Sequence, residues 1–436
     1  MNNTYRGKSK KVKKIFLAVT AVVLLLNAAA WCSAAFCDWY IANIFPVWVN
    51  TYGCITGFFP FSVGEWLIAV GLVLAAAALI LGVVWAVLGT VNAVRRTRSR
   101  ITERKASGAE GIAGVWVYAR TPHISGFRRF SRGFFLFFAW TVLAVCLIMT
   151  LNCVILYHAS TFSERYFGGD DGEYTPLELV TMYNMVAEEC NRLAEVMERD
   201  ESGMVIYTGA DGTEISRRDG ENWSRGLGCM ADEARELMQG LGTVYPQLEG
   251  WYPRPKAMVF SDFMCQQYMQ GYYFPFSMEA NYNDVMHILN IPSTMCHELA
   301  HLKGFIYEDE ASFIGYLACV RSENAFFQYA GYLSVLNYLY NDIYKLEKDN
   351  PDTFAKTVAE IQPVVVSEQV WKDNVFVSDE EWERINGKAL IDTEVVDKAA
   401  DVFIDVNLKV NGVSDGKVSY SRVVKLLLQY YRLQNR

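Results

Sequence analysis

The chain contains little histidine, and its positive charge is unevenly placed. Only five of its 436 residues are histidine, and no lysine or arginine occurs between residues 15 and 94. Three long apolar runs carry no charged residue at all: 15–36, 66–91 and 134–157. Each run is long enough to cross a hydrocarbon core about 30 Å thick. Because charged side chains normally line a transport pathway through a bilayer, their absence argues against a transporter.

Basic residues flank these runs on one side only. Six lysines and arginines precede the first run, and ten more lie between residues 92 and 133. Cytoplasmic segments of membrane proteins are enriched in these residues, so the pattern predicts a cytoplasmic N-terminus and a basic cytoplasmic loop, 92–133. We therefore expect a multi-pass protein of the cell membrane, with a membrane domain at 1–157 and an extracytoplasmic domain at 158–436. Aromatic residues between the first two runs suit an outer interfacial belt: Trp39, Tyr40, Trp48, Tyr52 and Trp66.

The two parts of the chain differ in charge. Residues 1–157 hold 16 basic and 4 acidic side chains, which leaves 24 basic and 44 acidic ones in 158–436, a net charge of −20. A domain this acidic repels nucleic acid and anionic lipid, so neither is expected as its partner. The lipid bilayer is expected as the partner of the three spans.

The C-terminal part predicts a mostly helical α+β domain with a small sheet. A capping-box start at Thr175 is followed by apolar residues at helical spacing up to Val196. Two proline-containing apolar segments, 251–263 and 271–283, are typical of edge strands and extended chain. A long aromatic-rich helix is predicted over 325–346.

Two of the five histidines, His297 and His301, lie four residues apart in the stretch STMCHELAHLKG. On a helix, this spacing puts both imidazoles on one face, one turn apart, where they can bind the same metal ion. Glu298 is offset from that face, so it can act as the base that takes a proton from a water activated by zinc. The helix is plausible because Gly304 can end it.

A catalytic zinc ion needs a third protein ligand and leaves a fourth position open for water. Three acidic residues follow the glycine: Glu308, Asp309 and Glu310. A turn at Gly304 could return any one of these carboxylates to the metal.

The motifs resemble two groups of proteins. A His-Glu-x-x-His pair followed by a helix that begins Glu-x-x-Ala, here Glu308–Asp309–Glu310–Ala311, is similar to the gluzincin metallopeptidases. More closely, the whole chain resembles a bacterial membrane-protein family known as domain of unknown function 3810. Its motifs match Gly271–Asn281 (GYYFPFSMEAN), Cys296–His301 (CHELAH) and Glu308–Phe313 (EDEASF). Ser312 stands where that family usually has asparagine.

The resemblance implies a zincin-like fold for the extracytoplasmic domain, a Zn²⁺ cofactor, and Glu308 as the third ligand. Glu310 stays open as an alternative ligand. The related metzincin pattern would put a third histidine at Tyr307, and tyrosine is a weak zinc ligand.

Six further residues are candidates for supporting roles: Asp309, Ser312, Glu279, Asn281, Tyr329 and Tyr332. The first two could orient a ligand histidine. Glu279 and Asn281 lie in the extended segment 271–283, which could pair with an extended peptide substrate. The tyrosines could donate a hydrogen bond to an oxyanion, although packing in the core explains them equally well.

The sequence therefore predicts a membrane-anchored zinc metallopeptidase that hydrolyses peptide or protein substrates at the outer face of the membrane. The alternative is a non-catalytic, zinc-containing surface module for binding or sensing.

Overall fold

A computed structural model describes residues 2–106, 123–169, 174–218, 220–410 and 422–434. These residues are mostly helical and form two small sheets, as the predicted α+β composition requires. The helices before residue 170 are α1 (Asn2–Cys32), α2 (Ala34–Asn43), α3 (Phe45–Trp48), α4 (Cys54–Gly57), α5 (Val63–Ala106), α6 (His123–Met149), α7 (Ile155–Tyr157) and α8 (Phe162–Tyr166). Those that follow are α9 (Pro176–Val196), α10 (Trp223–Gly242), α11 (Ser261–Gln266), α12 (Ile291–His301), α13 (Glu308–Val320), α14 (Ala325–Asp349), α15 (Pro351–Glu360), α16 (Glu368–Asp373), α17 (Asp379–Lys388), α18 (Thr393–Val410) and α19 (Arg422–Gln434).

Three helical segments are long and apolar enough to cross a membrane: Lys10–Cys32, Val63–Val91 and Gly126–Tyr157. They coincide with the three predicted runs, with small shifts at the ends. The first segment ends at Cys32 rather than residue 36 because Ser33 adopts extended backbone and its side chain caps the next helix, α2, by accepting a hydrogen bond from the Phe36 amide. The predicted basic loop is partly helical, since α5 continues to Ala106 and α6 begins at His123. Residues 107–122 of that loop lie outside the described residues.

The chain divides into two compact units, each built from two separate stretches of sequence. One unit comprises Met1–Val22 and Trp66–Leu147, and the other comprises Val23–Glu65 and Ile148–Arg436. The second unit therefore includes the connection between the first two spans and the C-terminal end of the third span. Thr56 donates a hydrogen bond to the Ser277 carbonyl at 2.7 Å, and Asn152 donates to the Pro275 carbonyl at 2.7 Å.

This packing changes the predicted aromatic belt. Tyr40 is only 3% exposed and accepts a hydrogen bond from the Trp48 indole, so its assignment to an interfacial belt is wrong. Trp39, Trp48 and Tyr52 remain exposed on the surface of the second unit. The apolar connection between the first two spans thus contributes to the core of that unit.

A three-stranded sheet supports the centre of the second unit. Its strands are β3 (Lys256–Ala257), β4 (Gly271–Phe274) and β5 (Glu279–Tyr282), in the order β3-β5-β4, with β3 parallel and β4 antiparallel to β5. A separate hairpin joins β1 (Tyr207–Thr208) to β2 (Glu214–Ile215). The predicted extended segment 271–283 is therefore a β-hairpin, and β3 is an edge strand as predicted.

Helices pack around the motif helix, which itself packs on the sheet. The predicted capping box is confirmed at the start of α9, where Thr175 and Glu178 exchange side-chain and backbone hydrogen bonds. Helix α12 packs against β4, β5, α10 and α13, while α14 packs against α9, α12 and α13. The motif helix α12 is thus one of the most deeply buried elements of the unit, and every residue from Ile291 to Cys296 is buried.

Candidate metal centre

Helix α12 carries both motif histidines and ends immediately after the second. Pro292 lies in the first turn, where its missing amide hydrogen removes no helical hydrogen bond. Gly304 follows the helix with φ +88°, a left-handed conformation that glycine adopts without a steric penalty. The prediction that Gly304 ends this helix is confirmed.

The turn at Gly304 returns the chain so that α13 packs beside α12. This approach is close, because a β-carbon at Gly315 of α13 would lie 2.8 Å from the Ser293 carbonyl oxygen. Glu308 is the first residue of α13, and its side chain therefore reaches the histidines from the neighbouring helix.

Three ligand-type atoms converge between these helices. His297 Nε2 lies 3.0 Å from Glu308 Oε2 and 3.1 Å from His301 Nε2, and His301 Nε2 lies 3.9 Å from Glu308 Oε2. Ligands of a tetrahedral zinc ion, each about 2.05 Å from the metal, are separated by about 3.3 Å. The observed separations bracket this value, so the three side chains fit a single small divalent cation.

The outward-facing ring nitrogens are held by other partners. His301 Nδ1 lies 2.7 Å from the Phe305 carbonyl oxygen, which only accepts, so Nδ1 carries the hydrogen and Nε2 keeps its lone pair. His297 Nδ1 lies 3.2 Å from Ser312 Oγ, and Ser312 also hydrogen-bonds the Tyr338 hydroxyl. Burial lowers the pKa of His301 to about 4, which favours the neutral imidazole that binds metals.

Glu308 combines a buried carboxylate with partial access to solvent. Its side chain is 28% exposed, which leaves one side of the cluster open. Burial raises the pKa of Glu308, but the hydrogen bond to His297 and the charges of both histidines outweigh burial, and the net shift is downward. The carboxylate form, which binds cations, is favoured.

Glu298 lies beside the cluster, and one of its two carboxyl oxygens has no hydrogen-bond partner among the described residues. His297, Glu298 and His301 offer ligand atoms within 4.8 Å of one another. Glu298 is 4% exposed, and its Oε2 atom makes no hydrogen bond. Burial, and next the charge of Glu308, raise the pKa of Glu298 well above its usual value. Buried carboxyl oxygens without a partner are uncommon in native proteins, which makes Glu298 a candidate for a role in binding or catalysis.

The other acidic residues of α13 face elsewhere. Glu310 accepts a hydrogen bond from the Phe162 amide at 2.5 Å, and Asp309 faces Arg422 at 3.5 Å. The Tyr307 hydroxyl donates to the Tyr157 carbonyl at 2.6 Å. Of the alternatives that the sequence leaves open for a third ligand, the structure brings only Glu308 to the histidines.

Comparison with known families identifies the chain. The family described as "Protein of unknown function (DUF3810)" matches residues 40–428, which include the cluster. The chain belongs to this family. No curated protein and no solved structure matches this DUF3810 protein.

The supporting residues predicted for the DUF3810 protein lie at different places in the structure, and only some of them are near the cluster. Ser312 contacts His297, whereas Asp309 faces Arg422. Glu279 is the first residue of β5 and forms an ion pair with Lys256, and Asn281 donates to the Tyr272 carbonyl at 3.2 Å. These two residues support the β4–β5 hairpin.

The two tyrosines predicted on α14 belong to the core. Tyr329 is fully buried and donates a hydrogen bond to Asp373 at 2.8 Å. Tyr332 packs edge-on against Tyr316, with ring centroids 5.9 Å apart. Packing thus accounts for both residues.

A different tyrosine, not singled out from the sequence, lies near the cluster. Burial, followed by Cys153, Glu298 and Glu308, raises the pKa of Tyr272 to about 12, so its hydroxyl stays protonated at neutral pH. Tyr272 follows Gly271 in β4, the strand that contacts α12. Its position in the GYYFPFSMEAN motif is the only sequence signal that could have pointed to it.

Proposed function

We propose that this DUF3810 protein is a membrane-anchored zinc metallopeptidase with a zincin-like domain. His297, His301 and Glu308 would hold the ion. A zinc ion bound there would supply Lewis acidity, which polarises a carbonyl group and acidifies water. The observation that carries the proposal is the convergence of three ligand atoms beside Glu298, whose Oε2 atom has no hydrogen-bond partner among the described residues.

Glu298 has the position and the freedom of a general base. Its Oε2 atom is buried and makes no hydrogen bond to the protein, so it is available to accept a proton from water and pass it to the leaving amine. A purely structural zinc site is closed by four protein ligands and needs no such base. This argues for catalysis over the non-catalytic binding or sensing module.

The sheet next to the cluster suits a polypeptide substrate. Strand β4 pairs with β5 on one side and, within the described residues, is the last strand of its sheet. It packs directly on α12. An extended peptide that pairs with the free edge of β4 would pass beside the cluster, with the Tyr272 hydroxyl available to donate a hydrogen bond to an oxyanion.

The proposed topology places this site outside the cytoplasm. The uneven distribution of lysine and arginine supports it, because the basic residues flank the ends of the spans opposite to the connection 37–65. Substrates would then be peptides or proteins at the outer face of the membrane.

Metal analysis combined with a base-deficient variant tests the proposal. The full chain is purified in lipid nanodiscs, its zinc content is measured by mass spectrometry, and cleavage is followed on a mixed peptide library. We expect one zinc ion per chain and peptide cleavage by the wild type. Glu298→Gln is expected to keep its zinc and lose about 10²–10⁴-fold in rate, the usual contribution of a general base.

Glu310→Gln is the matched control, because Glu310 is also a buried glutamate near the cluster but accepts its hydrogen bond from Phe162. It should keep both zinc and cleavage. A zinc-loaded wild type that cleaves no peptide, or a Glu298→Gln variant as active as the wild type, would contradict the peptidase proposal. The first result would favour the binding module.

A further inference from the structure

Two segments of the second unit expose a group of large apolar side chains. Phe58, Phe59 and Phe61 come from the connection after α4. Val259 and Phe260 come from the connection between β3 and α11, and Phe263 comes from the first turn of α11. We call these six residues the apolar surface. Their exposure ranges from 39% for Phe61 to 82% for Phe58. Exposure of this many large apolar groups in two short segments marks a contact with a partner or a membrane.

The second of these segments is attached to the beginning of α5. Glu65 accepts hydrogen bonds from the backbone amides of Val259 at 3.0 Å and Phe260 at 2.9 Å. Glu65 is only 5% exposed and lies in the first turn of α5. This turn is the N-terminal end of the candidate span Val63–Val91.

A buried ion pair attaches the first segment to the same point. Glu279 accepts from the amides of Val63 and Gly64 at 3.2 and 2.8 Å, and pairs with Lys256 at 2.5 Å. The Lys256 ammonium group also donates to the carbonyls of Thr56 and Phe61. Both segments are therefore attached to the residues where the second span begins. The first is attached through Lys256 and Glu279, and the second through Glu65.

The depth of the apolar surface follows from this attachment. A helix as apolar as Val63–Val91 starts where the hydrocarbon meets the headgroups, and aromatic side chains favour that level. Asp262, the only charged residue in 258–263, is paired with Arg384 at 2.5 Å. The one carboxylate of this segment is therefore compensated by a cation.

We infer that the apolar surface inserts into the lipid interface of the leaflet in which the second span begins. The domain would thus contact the bilayer through its own loops, in addition to being anchored by the spans. The inference depends neither on the peptidase proposal nor on which leaflet is the outer one.

Site-specific photocrosslinking in lipid tests the inference. The photoreactive residue p-benzoyl-phenylalanine replaces Phe58, Phe260 or Phe263 in the full chain, which is reconstituted in phosphatidylcholine nanodiscs and irradiated. We expect phospholipid adducts at all three positions, detected as a mass increase of the corresponding peptides. Because the contact is apolar, high salt should leave the adduct yield unchanged.

Two further positions make the result decisive. Tyr344 on α14 is 57% exposed, the same as Phe260, and should give no lipid adduct. Phe137, 55% exposed in the third candidate span, should give one and shows that the reaction works. Adducts at Phe137 without adducts at Phe260 and Phe263 would overturn the inference, as would crosslinks from these positions to a second protein chain instead of lipid.

Discussion

Gly271 in strand β4 lies directly against the carboxyl group of Glu298 in helix α12. A β-carbon at residue 271 would overlap Glu298 Oε1 and would lie 2.7 Å from Thr294 Cγ2. Only glycine lets the strand approach the motif helix this closely without moving one of these side chains. The position of the proposed base is therefore fixed by a residue on the neighbouring strand.

We predict that Gly271→Ala displaces Glu298 and lowers the catalytic rate while the metal stays bound. The atoms nearest to the added methyl group belong to Glu298 and Thr294 rather than to the proposed metal ligands, and a shift of the base reduces its contribution to catalysis of about 10²–10⁴-fold. A fall of kcat by at least about tenfold, at unchanged zinc content, is the expected result. Steady-state kinetics and metal analysis on the same preparation check it.

Gly387→Ala is the control for this substitution. Gly387 lies in α17, and a β-carbon there would meet no atom within 4 Å. The control should be as active as the wild type and slightly more stable, because alanine favours helix by about 1 kcal/mol over glycine. Equal kcat for Gly271→Ala and Gly387→Ala would show that the strand does not position the base.

A second prediction concerns the third ligand. Glu308→Gln should lower zinc affinity by more than the factor of about 10–100 that is typical of losing a residue that merely supports a ligand. The reason is that the amide removes the negative charge that faces both histidines at 3.0 and 3.9 Å. Competition with a chelator of known affinity measures the change.

The neighbouring variant Glu310→Gln separates ligand loss from a general loss of buried charge. It should bind zinc as the wild type does, since its oxygen can still accept the hydrogen bond from Phe162. The reverse outcome, with zinc lost in Glu310→Gln and kept in Glu308→Gln, would show that the metal selects the other carboxylate.

Residue spacing in the sequence predicted those features of the cluster that depend on neighbouring residues in one helix. It did not predict the features that depend on how two helices pack. The spacing of His297 and His301 and the stop at Gly304 are local, and both were predicted correctly as features of one helix. The choice among Glu308, Asp309 and Glu310 depends on where α13 begins and how it rotates against α12. That choice is set by the close packing at Gly315, so the spacing of residues alone left it open.

The sequence analysis mainly missed contacts between residues that lie far apart in the chain. The aromatic connection after the first span resembles an interfacial belt in sequence, yet Tyr40 and Thr56 pack inside the second unit. Likewise, Glu279 looked suited to bind a substrate, but it pairs with Lys256 and accepts from amides more than 200 residues earlier in the chain. No periodicity or local motif specifies such pairs.

A third prediction tests the support of His297. Ser312→Ala removes the hydroxyl that lies 3.2 Å from His297 Nδ1, so the imidazole loses the contact that fixes its orientation. We expect zinc affinity to fall by about 10–100-fold with little change in thermal stability. Ser312→Asn, which restores a polar group and matches the usual family pattern, should recover most of the affinity. Equal affinities for the alanine variant and the wild type would reduce Ser312 to a packing role.

The last prediction concerns the buried ion pair that links the sheet to the second span. Lys256 and Glu279 are 8% and 2% exposed and lie 2.5 Å apart. Removing one partner leaves the other charge buried, which typically costs about 3–5 kcal/mol. Lys256→Met should therefore lower the unfolding temperature markedly in nanodiscs, measured by intrinsic tryptophan fluorescence.

The double variant Lys256→Met/Glu279→Gln distinguishes loss of the charge pair from loss of packing. Without the lysine, the neutral amide no longer leaves an uncompensated charge, so part of the lost stability should return. The two oxygens of Glu279 accept separately from the Val63 and Gly64 amides, and the single oxygen of glutamine can keep only one of these hydrogen bonds, so the recovery should be partial. A double variant no more stable than Lys256→Met alone would mean that the hydrogen bonds of Lys256 to the Thr56 and Phe61 carbonyls, rather than its pairing with Glu279, hold this part of the unit together.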